Sequence, residues 1–327
     1  MTPIAERMHA QHLVRPLRKP AEVVRWFGAM QAQDYYGALW AVGLRCASAT
    51  EAAVERALLE GGIVRSWPLR GTLHFVPAED LRWILSVTAA PVLARARRRF
   101  EQLGLDDATF TRARRTLERA LDGRELTRAE TYRALQRARV STRGQRGIHI
   151  VWRLAHDGLL CFGARRGKQQ TFTLLRAPGR RLAREEALHA LAERYFRSHG
   201  PATLQDFSWW TGLPARELRP AAGAIGRDGG PPRRLPPVRL LPAFDEYLVG
   251  YRDRSAVLDD PRLVNAGGGM LAPAVVANGR VVGTWKRTLG RKGVLVSARL
   301  VRRVDLRAEA ERYGAFLGLR ASVDAAG

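Results

Sequence analysis

Apolar residues recur every three or four positions in two stretches of the N-terminal third, "KPAEVVRWFGAMQAQ" and "ATEAAVERALLEGG". This spacing predicts two helices, the second closed by a glycine pair. The pattern then changes. "IVRSWPLRGTLHFV" carries β-rich runs on either side of "PLRG" and reads as a hairpin. Helices followed by a hairpin is the layout of a winged helix. The layout returns after the basic stretch "ARARRRF". "DATFTRARRTLERAL" and "LTRAETYRALQRA" read as helices, the second with Thr127 as N-cap and Glu130 three residues on, a capping box. "GQRGIHIVWRLAHDG" is a third helix closed by Gly158, and "LLCFGARRGKQQTFTLL" is strand, basic turn, strand. A third unit begins with "AREEALHALAERYFRSHG", "PATLQDFSWWTG" and "LPARELRPAAGAIG" and runs into the Gly/Pro-rich "RDGGPPRRLPP", expected to project or bend sharply. Beyond it the runs are β-like, with Asn-Gly inside "VANGRVVGTW" as a strong hairpin signal, before a last helix "RAEAERYGAFLGL". The predicted fold is mainly α with β, an α+β chain. Three tandem winged-helix units (1–105, 106–180 and 181–238) form a concave scaffold, followed by a β-rich C-terminal part (239–327).

Charge gives that scaffold a partner. Lys plus Arg is 55 against 31 Asp plus Glu, a net charge of +24 over 327 residues. Such an excess repels itself unless a polyanion is near, so nucleic acid is the first partner to consider and an anionic membrane surface the second. Arginine far outnumbers lysine, so an arginine-rich background is the competing explanation of the count. The membrane reading lacks a strongly apolar amphipathic helix, and no apolar run is long enough to cross a bilayer. The two cysteines, Cys46 and Cys161, stand far apart in no metal or redox spacing, which fits a reducing cytoplasm. "MTPIAERMHAQHL" has no apolar signal core. A cytoplasmic location is expected.

Most catalytic signatures are missing. His9 and His12 are three apart with no further ligand cluster near them, so no metal is expected. "GARRGK" is too short for a phosphate loop and lacks the Ser/Thr after its lysine. No Gly-x-Ser-x-Gly stretch occurs. One segment stands out: Gln31-Ala32-Gln33-Asp34, within "GAMQAQDYYGALW". If it is extended, Gln31 and Gln33 share a face, and two amides can orient a water between them. As weak bases they suit a reaction whose leaving group departs easily. Hydrolysis of the N-glycosidic bond to a cationic N-alkylpurine is such a reaction, and Asp34 would then offset the developing positive charge on the sugar. A polar helix end is the other reading of the same residues, and the spacing alone leaves both open.

Five stretches, "QAQDYYGALW", "SWPLRGTLHFV", "HGPATLQDFSWWTGL", "LLPAFDEYLVGYRDRS" and "NGRVVGTWKR", together resemble the AlkZ/YcaQ-like winged-helix DNA glycosylases of bacteria. The resemblance runs from Met30 to Arg287. Gln31-Ala32-Gln33 matches the Gln–aliphatic–Gln form of the family motif, which belongs to the AlkZ branch. Carried over, Gln31 and Gln33 become the catalytic pair that positions the water. The resemblance implies tandem winged helices around a concave DNA channel and a monofunctional glycosylase without metal or cofactor. The implied partner is double-stranded DNA with alkylated or crosslinked purines, and a monomer is expected. For DNA contacts the candidates are Arg65, Arg70, Thr72 and His74 on the first hairpin and Arg165, Arg166 and Lys168 on the second. Trp209 and Trp210 are candidates to stack on a base or duplex edge, with at least one of the two expected in the core of the third unit instead, and Lys286 and Arg287 follow the Asn-Gly hairpin. A non-enzymatic winged-helix regulator is the alternative.

Overall fold

The computed structural model describes residues 3–177, 179–223 and 235–326. The described strands form two sheets. Six strands make the first: β1 (Met30–Gln31), β2 (Ile63–Leu69), β3 (Thr72–Pro77), β4 (Leu126–Thr127), β5 (Leu160–Phe162) and β6 (Thr171–Leu174), in the order β1-β3-β2-β5-β6-β4. Both expected hairpins, β2/β3 and β5/β6, are present. They are not independent wings, because Arg65 of β2 pairs with Phe162 of β5 and joins them edge to edge. The turn of the first hairpin is Arg70-Gly71, with φ of +55° and +75°. Two successive positive φ values match the right-handed twist of a tight hairpin. Gly71 is also closely packed: a Cβ there would lie 3.2 Å from Trp152 of the second segment and 3.2 Å from Val92 of the first.

The capping box forms as read. Thr127 N–H donates to Glu130 Oε2 at 2.7 Å, and Glu130 N–H donates to Thr127 Oγ1 at 3.3 Å, opening the helix Arg128–Arg137. Gly158, at φ +70°, follows the helix Arg146–His156. Other elements differ from expectation. "ARARRRF" lies inside the 22-residue helix Leu81–Gln102, whose arginines mask its apolar spacing. Tyr35–Gly43 is a helix buried from Gly37 onward on nearly every side, so it shows no amphipathic period. The third segment supplies the helices Arg184–His199, Leu204–Thr211 and Ala215–Ala222, but no wing among the described residues. Its next strand, β7 (Val238–Leu241), pairs instead with β8 (Ala274–Ala277). Most of the Gly/Pro-rich loop falls outside the described residues.

β7 and β8 continue into β9 (Arg280–Leu289), β10 (Gly293–Leu300) and β11 (Arg320–Ala326), a five-stranded sheet in the order β11-β10-β9-β8-β7. Asn278 and Gly279, at φ +51° and +82°, turn β8 into β9 at the expected Asn-Gly. The first segment and this sheet share one core, in which Phe27, Trp40 and Phe75 pack with Leu240, Val275 and Val296. Trp40 Nε1–H donates to Leu240 O and Trp285 Nε1–H to Leu241 O, each at 2.7 Å. A second core joins Leu81 and Ile84 of the long helix to Leu191, Tyr195 and Trp210. Among the described residues no helix is long and apolar enough to cross a membrane.

Candidate active site

The helix Pro20–Phe27 ends at Gly28, whose φ of +77° turns the chain into the buried β1. Gln31 lies opposite His74 in the antiparallel β1/β3 pair. The next residue stays bound to the same strand, since Ala32 N–H donates to Leu73 O at 2.7 Å. Arg65 closes the segment from the other side: its Nε and Nη2 donate to Ala32 O at 3.0 and 2.7 Å, and Nη2 reaches Gln33 O at 3.4 Å. Both peptide groups of the motif are therefore tied down. Asp34 takes the N-cap position of the helix Tyr35–Gly43, exposed and without a side-chain cap hydrogen bond. Its carboxylate fills space that a Cβ at Gly37 would need, 2.6 Å from where that atom would sit. The segment is thus a helix start at Asp34 and a strand end at Gln31, with Gln33 between them.

Behind Gln31 lies a buried polar cluster. Gln31 N–H donates to Glu246 Oε1 at 2.7 Å, and Glu246 Oε2 accepts from His199 Nε2 and Trp210 Nε1, each at 3.1 Å. Burial alone would raise the Glu246 pKa, but the hydrogen bond and charge of His199, with His74 and the Gln31 amide, outweigh it and lower the value. His74 is fully buried, and burial together with the Arg70 guanidinium pushes its pKa down to about 4. It is a neutral imidazole at neutral pH. Its Nδ1 lies 2.9 Å from Thr72 O, which can only accept, so Nδ1 carries the proton.

Toward the surface, cations from distant segments converge on the two tyrosines after the motif. The Arg165 guanidinium lies 4.6 Å from the Tyr35 ring centre and 5.4 Å from that of Tyr36. Arg287 reaches the same Tyr36 ring at 5.5 Å. Tyr36 is 36% exposed, so the stack presents aromatic surface and positive charge together. On the neighbouring side Gln33 lines a cleft of about 970 Å³, walled by Trp67, Tyr132, Trp152, Phe162 and Phe172.

The comparisons with known proteins agree on one family. Residues 24–316 match the family described as DNA glycosylase AlkZ-like. The chain belongs to the AlkZ-like DNA glycosylases. The Interstrand DNA cross-link repair glycosylase of Streptomyces sahachiroi is 27% identical over 326 residues, covering 86% of each protein. The solved structure of Streptomyces sahachiroi DNA glycosylase AlkZ superposes with a TM-score of 0.75 at 24% identity, over 99% of this chain and 98% of that one. That likeness shows a shared fold, with mixed helix and sheet and the β-rich C-terminal part.

Within this AlkZ-like chain the predicted DNA-contact residues divide. Lys168 and Lys286 are exposed. Arg166 is exposed but paired with Glu130 at 3.0 Å. Arg70 donates to Trp209 O at 2.9 Å, and its guanidinium lies 5.8 Å from the Trp209 ring centre. Trp209 itself is 44% exposed, whereas Trp210 is buried on Glu246. Thr72 is half-buried, its hydroxyl donating to Leu69 O across the turn. Two placements correct the phosphate-contact expectation. Arg65 is buried with its Nε and Nη2 committed to the Ala32 and Gln33 carbonyls, leaving at most Nη1 for a phosphate, and His74 is wholly enclosed and presents no donor.

The sequence reading also passed over Glu246, His199 and Tyr36. The signal for Glu246 was present in "LLPAFDEYLVGY", an acidic pair inside an apolar run. Lys and Glu are almost never fully buried unless paired, so such a carboxylate asks for partners. Those partners are supplied from residues near 31, 199 and 210, which no local pattern connects.

Proposed function

We propose that this chain hydrolyses the N-glycosidic bond of N-alkylated purines in double-stranded DNA, including purines held in interstrand crosslinks. Alkylation at N7 or N3 makes the base cationic. The C1′–N bond then breaks with its electrons going to the base, which leaves as a neutral molecule. The sugar acquires oxocarbenium character and is captured by a water held by Gln31 and Gln33. The water oxygen bonds to C1′ and its proton passes to solvent, leaving free alkylated base and an abasic site. Asp34, exposed at the end of the motif, offsets the positive charge on the sugar. The observation that carries this reading is the Gln31-Ala32-Gln33 segment, fixed through both its peptide groups by Arg65 and β3 beside an aromatic cleft and a cation-capped tyrosine pair.

Crosslinked purines are included because the Streptomyces sahachiroi relative is an Interstrand DNA cross-link repair glycosylase. The test is incubation with duplex DNA carrying N7-alkylguanine, and with a duplex crosslinked through that position, followed by chromatography for released base. Release of base with an intact strand until alkali treatment is expected. Tight binding of both duplexes without any release would turn the reading to a non-enzymatic DNA-binding protein.

A further inference from the structure

Gln31 (β1), His74 (β3) and Ser66 (β2) are register partners across three adjacent strands, Gln31 opposite His74 and His74 opposite Ser66. Directly paired residues of antiparallel strands share a face, with Cβ atoms about 4.5–5.5 Å apart. All three carry a buried side-chain atom without a hydrogen-bond partner: Gln31 Oε1, His74 Nε2 and Ser66 Oγ. An unpartnered buried polar atom is costly, and three in one row ask for a common account.

His74 supplies it. With its proton on Nδ1, held by Thr72 O, and with the ring kept neutral by burial and by Arg70, its Nε2 is an acceptor. The Gln31 oxygen is also an acceptor, so as placed the two buried atoms cannot satisfy one another. A half-turn of the terminal Gln31 torsion exchanges amide oxygen and nitrogen, two groups of nearly the same size. It gives Gln31 an N–H donor on the side of its register partner His74, whose Nε2 is the acceptor left open there.

We propose that His74 is a positioning residue that fixes the Gln31 amide by accepting its N–H at Nε2, so that the Gln31 carbonyl oxygen faces outward to accept a hydrogen bond from the attacking water. The proposal rests on the assignment of Gln31 as a water-holding residue. Glu246 completes the setting from behind, since it holds the Gln31 backbone N–H while His74 holds the side chain. Ser66 is the competing donor for the same nitrogen, from the opposite flank.

The test combines single-turnover base release with nitrogen-15 spectroscopy. His74→Phe should lower the rate about tenfold or more with lesion-duplex affinity unchanged, and His74→Gln, which restores an acceptor at the same reach, should recover part of it. His74→Phe should cost nothing further in a Gln31→Ala background, because a positioning residue acts only through the group it positions. Ser66→Ala should leave the rate near wild type. A Gln31→Ala protein at wild-type rate would remove the water-holding assignment itself. A slow Gln31→Ala with additive loss from His74→Phe, or a Ser66→Ala as slow as His74→Phe, would overturn the positioning role alone. In the wild-type protein, a coupling between Gln31 Nε2 and His74 Nε2 across the hydrogen bond is expected. Its absence, with a Gln31 amide resonance unchanged in His74→Gln, overturns the proposal independently of any activity.

Discussion

Arg45 and Asp245, 200 residues apart in the chain, meet in a two-pronged ion pair with no exposed surface. Both bonds are 2.8 Å long, and the remaining Arg45 donors go to Ala41 O, Gln11 O and Gln11 Oε1. Asp245 directly precedes Glu246, so the pair also anchors the carboxylate that holds Gln31. Asp245→Ala leaves a buried guanidinium without its counter-charge and should cost about 3–5 kcal/mol of stability. Urea unfolding of the variant against wild type measures it. A loss below about 1 kcal/mol would show that Gln11 and the backbone carbonyls suffice for Arg45.

Gln31→Ala and Gln33→Ala should each slow base release on the order of 10²–10³ while leaving lesion-duplex binding nearly unchanged. Amides that orient water act mainly in the transition state. The two should differ in stability, since Gln31 is buried and Gln33 exposed. Single-turnover rates paired with thermal unfolding separate the effects. Equal rate and melting temperature in the double variant would leave the segment with no role in the reaction.

Duplex binding should be strongly salt-dependent and weakly sequence-dependent. With about 5 phosphates contacted, log K should fall against log salt with a slope near −4.5. The net charge of +24 motivates this, and a flat salt response would rule out a DNA-tracking surface.

The second hairpin should contribute through phosphates. Replacing Arg165, Arg166 and Lys168 with Ala should weaken intact and lesion duplexes about equally, since backbone contacts carry no base information. Arg165 alone also stacks on Tyr35 and Tyr36. A loss selective for lesion DNA in Arg165→Ala, measured by competition binding, would place that stack at the damaged base instead.

Acid should destabilise the fold through His74. Its native value of about 4 lies below the ordinary 6.5, so between these values the unfolded chain takes up a proton that the native protein does not. The stability at stake is complete above pH 6.5 and is lost as pH falls toward about 4, in all about 3 kcal/mol. His12 and His156, lowered by burial, act in the same direction. The difference between wild type and His74→Gln in chemical unfolding between pH 7 and 4.5 isolates the His74 share. Parallel stability–pH curves would mean that His74 binds its proton in the folded protein as readily as in the unfolded one.

The sequence by itself determined what local rules encode. Thr127 and Glu130 wrote the capping box, Arg70-Gly71 and Asn278-Gly279 the tight turns, and the apolar spacing of Ile150, Val151 and Leu154 the helix they sit on. Each depends on neighbours within a few residues, where backbone preference and side-chain period act directly. The Gln31-Ala32-Gln33 spacing is local too, but by itself it left a polar helix end and a water site both open. Tertiary structure alone decided the environment of that motif. Arg65 turned inward because the Ala32 and Gln33 carbonyls, freed at the end of β1, need donors. Glu246 became buried because Gln31, His199 and Trp210 together supply the hydrogen bonds a carboxylate requires away from water. The two hairpins joined into one sheet because strand edges left open are satisfied by pairing, as Arg65 and Phe162 pair. Burial and hydrogen-bond satisfaction are properties of the whole packed chain, and no window of sequence contains them.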